Sequence, residues 1–88
     1  MASIKHLKRD LNYVMGDIIE AAYIHQMANP KADPKTIDQI VDEAVVTYDE
    51  MIVKINDRSQ ENRGQYLKQV NKELEQKATT LIEKLNTL

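Results

Sequence analysis

His6 and His25 are the only histidines, and the chain has no cysteine, so these two rings carry most of its capacity for metal binding or nucleophilic chemistry. His25 falls two turns beyond Ile18 along an apolar stripe, which predicts a partly buried imidazole. Such a ring can ligate a metal or carry a phosphoryl group. Metal binding needs convergent partners, and the Glu-x-x-His spacing of di-iron bundles is missing, because Glu20 precedes His25 by five residues and leaves its face. Phosphotransfer needs an exposed histidine with a nearby lysine and a small residue. Gln26, Met27, Ala28 and Asn29 follow His25 and do not make that pattern. A helix-end histidine hydrogen-bonded to the following joint outweighs both readings. His6 stands among Lys5, Lys8 and Arg9 and reads as solvated.

Paired carboxylates are the other chemistry on offer. Asp38, Asp42, Glu43, Asp49, Glu50 and Asp57 run through one segment against only Lys35 and Lys54. Such pairs can move protons or hold a divalent cation. Here they follow the polar face of an amphipathic pattern, with no glycine loop to fold them around an ion, so a solvated face is the expectation. No catalytic, cofactor-binding or metal-binding residue is assigned, and the chain is expected not to be an enzyme.

The four tyrosines are the only aromatic residues. Tyr48 falls on a core stripe and Tyr66 on the flank of another. Tyr13 and Tyr23 do not. With Gly16, Glu20 and Met27 they trace a second stripe at steps of three and four residues on the back of the first helix, with Ile24 beside it. Val46 and Val53, one heptad apart, fall on the outer side of the second helix. A surplus apolar stripe of this kind marks a contact surface when it is contiguous. Gly16 in mid-helix costs about 1 kcal/mol relative to alanine, a cost that close approach of another backbone would explain. The expected interface is therefore Tyr13, Gly16, Glu20, Tyr23, Ile24, Met27, Val46 and Val53.

The elements that position these residues follow from periodicity and punctuation. Ser3 is a suitable N-cap, and Ile4, Leu7, Leu11, Val14, Ile18 and Ala21 follow at helical steps, widened by Met15 and Ala22. Pro30 ends this helix near Ala28, since the residue before a proline avoids helical geometry. Asp33 with Pro34 restarts the chain as N-cap and first helical residue, and Thr36 with Gln39 offers a capping box one turn later. Ile37, Ile40, Val41, Ala44, Tyr48, Met51, Ile52 and Ile55 form the second stripe. Leu67, Val70, Leu74, Ala78, Leu81 and Leu85 form the third, entered at Asn62. The spacing predicts helices over 4–28, 34–57 and 62–87, each roughly 36 Å long at 1.5 Å per residue. Short joints make neighbours antiparallel. Segment 56–64 has no proline, so fusion of the last two helices into one rod is the competing architecture.

Composition agrees with this reading. Eighty-eight residues suit one domain, 42% apolar and 30% charged content is globular, and two glycines and two prolines suit long helices. A domain this small has a thin stability margin, to which self-association would add. No uninterrupted apolar segment indicates a secretory leader or a membrane span, and the absence of cysteine favours a cytoplasmic location. The net charge of −2 gives no general attraction to nucleic acid. The one basic cluster, Lys5, His6, Lys8 and Arg9, is expected to lie beside Asp49, Glu50 and Asp57, and antiparallel packing is expected to place Lys77 and Lys84 near Asp38 and Asp42. The Asp-Ser-Leu helix start of carrier proteins is missing.

The sequence thus predicts one all-α domain over residues 1–88, an antiparallel up-down-up three-helix bundle. Its expected role is a non-enzymatic interaction module, without cofactor, that forms a homodimer. The alternatives are an adaptor binding a different protein through the back of the first helix, and phosphotransfer or metal chemistry at His25.

Overall fold

The computed structural model describes residues 4–88. Its helices are α1 (Ile4–Ala28), α2 (Pro34–Asn56) and α3 (Arg63–Asn86), and each packs on the other two. This is the all-α three-helix bundle that the periodicity predicts, drawn out to 50 × 19 × 18 Å. Helix limits agree with expectation to within a residue. The cap assigned to Ser3 lies outside the described residues.

Local chemistry sets both joints. Asn29 closes α1 by donating its backbone N–H (3.0 Å) and its side-chain amide (3.1 Å) to the His25 carbonyl. Asp33 opens α2 by accepting the Lys35 N–H at 2.9 Å, and Pro34 occupies the first position, where a missing donor is no loss. The second joint breaks the chain without a proline. The Asp57 carboxylate accepts the Ser59 N–H (2.9 Å), the Ser59 hydroxyl (2.6 Å) and the Gln60 amide (3.0 Å). From the first turn of α3, the Arg63 guanidinium donates to the carbonyls of Asp57 (2.8 Å) and Ile55 (3.3 Å). Carbonyls at a helix end lack intrahelical donors, so Arg63 caps α2 from the helix that follows it. These bonds explain why α2 and α3 are separate helices and not one rod.

The core is built from Leu7, Leu11, Met15, Ile18 and Ala22 of α1, Ile37, Ile40, Ala44, Met51 and Ile55 of α2, and Leu67, Val70, Leu74, Ala78 and Leu81 of α3. Two details differ from the sequence reading. On α1, Val14 is only half-buried and Ala21 is exposed, while Met15 and Ala22 are buried. The reason is that α1 packs more closely on α2 than on α3, which turns its buried face away from Val14 and Ala21. On α2, the buried position is Thr47, and the neighbouring Tyr48 is half-buried against the core. No buried side-chain polar atom among the described residues lacks a hydrogen bond.

The α2–α3 seam is bridged by charge. Lys84 meets Glu43 at 2.5 Å, Lys77 meets Glu50 at 3.2 Å and Lys54 meets Glu73 at 2.5 Å. Steps of seven and four residues up α2 match the same steps down α3, which fixes the antiparallel register. The lysines were expected opposite Asp38 and Asp42. Glu43, Glu50 and Lys54 instead form the ion-paired edge of α2, whereas Asp38 and Asp42 are exposed and unpaired among the described residues, Asp42 only bordering the recess at this seam. Side chains also lean toward their own helix N-terminus, so partners in an antiparallel pair sit at offset backbone levels. Neither Lys5 nor Lys8 forms an ion pair with Asp49 or Asp57 among the described residues. The Asp57 carboxylate is engaged by Ser59 and Gln60 instead.

Candidate association face

The face proposed from sequence is centred on α1, whose opposite side supplies five core residues. All eight candidate residues are exposed. Tyr13, Tyr23, Ile24 and Met27 keep 65%, 46%, 52% and 74% of their surface in solvent. A Cβ built on Gly16 meets no heavy atom within 4 Å. Nothing among the described residues therefore requires a glycine there, and the position presents bare backbone to the outside. Glu20 is exposed and makes no ion pair among the described residues. Arg9, one turn before Tyr13, has only a 3.9 Å approach to its neighbour Asp10, with both side chains more than half exposed.

The residues do not all share one surface. Tyr13 stands at the α1–α3 seam, lining a recess with Val14, Asn71, Glu75 and Ile82. Val46 lines a recess at the α2–α3 seam with Glu43, Glu50 and Lys77. Val53 is exposed on α2. The two valines are thus separated from the α1 stripe by the turn of the bundle.

The α1–α3 seam holds a feature that sequence reading missed. A hollow of about 520 Å³ opens between the helices, walled by Val14, Ile18, Ala21, Ile82 and Leu85, with Asp17, His25 and Asn86 at its edges. It continues into the recess beside Tyr13, since Val14 and Ile82 line both. No lysine or arginine lines either part, and no ion pair crosses this seam among the described residues. Ile82 was the available signal. It stands four residues after Ala78 and three before Leu85, and so on the flank of α3's buried stripe.

His25 is half-buried at the lower end of this hollow. The joint after α1 is held through its backbone carbonyl and not through its ring. Among the described residues no three His, Cys, Asp or Glu side chains are grouped to hold a metal ion. No described helix is long and apolar enough to cross a membrane. No protein-family model, curated protein or solved structure matches this chain.

Proposed function

We propose that the chain is a small helical interaction module that associates with a second copy of itself through the back of α1. The observation that carries this reading is the exposure of Tyr13, Tyr23, Ile24 and Met27 around a glycine that its own fold does not need. Tyrosine brings large apolar area to a contact while its hydroxyl stays hydrated at the rim. Two-fold pairing is the commonest closed arrangement and would set α1 against itself. Tyr13→Asp tests the reading, because it places a charge at the centre of the contact and, at a side chain 65% exposed, disturbs no buried residue. Size-exclusion with light scattering should show a dimeric wild type and a monomeric variant. A dimer indifferent to Tyr13→Asp would place the interface elsewhere.

A second reading, an adaptor for a different protein, is favoured by the α1–α3 hollow. Its apolar wall and the acidic edges at Asp10, Asp17 and Glu75 suit an amphipathic helix flanked by basic residues. Saturable binding of such a peptide to a monomeric chain, abolished by Ile82→Asp, would favour this reading over self-association.

A further inference from the structure

Arg9, Tyr13, Gly16 and Glu20 are spaced four, three and four residues apart along α1, and all four are exposed. That spacing reads the same in both directions, and its contents are complementary when reversed. The ends carry opposite charges, and the centre carries one large and one minimal side chain. From this we infer that two copies pair with their α1 helices antiparallel, about a two-fold axis that passes between the two helices at the level midway between Tyr13 and Gly16. The inference rests on the self-association reading above and adds the orientation and register of the pair.

In this orientation the two α1 faces complement each other. Under this axis Arg9 of each copy comes to the level of the other's Glu20, giving two symmetric ion pairs. Each Tyr13 ring comes to the bare backbone at the other's Gly16, where the chain's own atoms leave open space. A residue with no side chain opposite a large one lets two helices approach closely while the ring fills the gap. The parallel alternative sets Arg9 on Arg9 and Glu20 on Glu20. It also sets the two Tyr13 rings against each other and leaves two glycines facing. Like charges directly opposed are destabilising, so the parallel arrangement loses on both charge and shape. Arg9 is available for the new pair, because its approach to Asp10 is long and solvated.

Orientation is measurable directly, since a chain without cysteine accepts a single spin label cleanly. Ala28→Cys places the label at the exposed end of α1, outside the stripe. An antiparallel pair separates the two labels by about 40 Å along the axis, from the 1.5 Å rise per residue. A parallel pair, at helix spacings of 8–10 Å, keeps them within about 25 Å. Charge exchange supplies an independent readout. Arg9→Glu and Glu20→Arg alone should each weaken association about tenfold, and the double exchange should restore it. A dimer with the long distance and restoration by the double exchange supports the pairing. A dimer with the short distance, or with no restoration, overturns the antiparallel register while leaving self-association intact. A monomeric wild type overturns both.

Discussion

The Lys84 ammonium lies 2.5 Å from the Glu43 carboxylate, joining the last turn of α3 to the middle of α2. With Lys77–Glu50 and Lys54–Glu73 it closes a ladder along one seam, and the α1–α3 seam has no counterpart among the described residues. The bundle is therefore stitched on one side and open on another. Lys84–Glu43 and Lys77–Glu50 are exposed and Lys54–Glu73 is only part-buried, so each contributes about 0–1 kcal/mol and acts mainly on register. A double-mutant cycle on Lys84→Ala and Glu43→Ala should give a coupling within that range that shrinks in high salt. A coupling of several kcal/mol would contradict this assignment.

Leu74 of α3 is buried in the core, so Leu74→Ala should cost about 2–5 kcal/mol, a large share of a small domain's stability. Thermal or urea unfolding measures it. An unchanged midpoint would contradict the packing of α3 against the other two helices.

Asp57 makes the joint between α2 and α3 sensitive to acid. Its carboxyl is lowered from 3.8 to about 2, first by the Ser59 hydroxyl, then by the Gln60 amide and the Ser59 N–H. The folded chain thus binds this proton less readily than the unfolded one. Its contribution is present above the ordinary value of 3.8 and is lost as pH falls toward about 2. Wild type should lose more stability across that window than Asp57→Asn, read by urea unfolding at a series of pH values. Parallel curves for the two proteins would remove Asp57 from the account.

Arg63 tests the cap that separates α2 from α3. Arg63→Ala leaves the Asp57 and Ile55 carbonyls without their side-chain donors and should cost roughly 1 kcal/mol, with Arg63→Lys only partly restoring it. Equal stability of Arg63→Lys and wild type would show that charge alone suffices there.

Gly16 separates stability of the fold from association. Because a Cβ there meets nothing in the chain, Gly16→Ala should stabilise the isolated bundle by about 0.5–1 kcal/mol. Gly16→Leu should weaken pairing without unfolding the domain. Measuring unfolding at low concentration and mass at high concentration reads the two effects apart. A Gly16→Leu chain that pairs as wild type does would remove Gly16 from the contact.

Much of this architecture was legible in the residues. Helix limits followed from Pro30, Asp33 and Pro34, and Leu11, Ile18, Ile40, Met51, Leu74 and Leu81 were each expected in the core and are buried. What escaped was rotational detail. Periodicity gives a stripe but not which flank of it meets the tighter neighbour, so Val14 and Ala21 were read as core, and Thr47 was overlooked beside Tyr48. The same limit shifted the lysine partners from Asp38 and Asp42 to Glu43 and Glu50. The hollow at the α1–α3 seam was not legible, because it depends on how far two helices separated by a third stand apart. The back stripe of α1 was legible because its members differ in kind from a solvated face.

The central claim is that this bundle pairs with itself, and mass in solution tests it most directly. Light scattering behind size-exclusion at tens of micromolar should give the mass of two 10.1 kDa chains, falling toward one on dilution. A mass of one chain throughout that range would contradict the account.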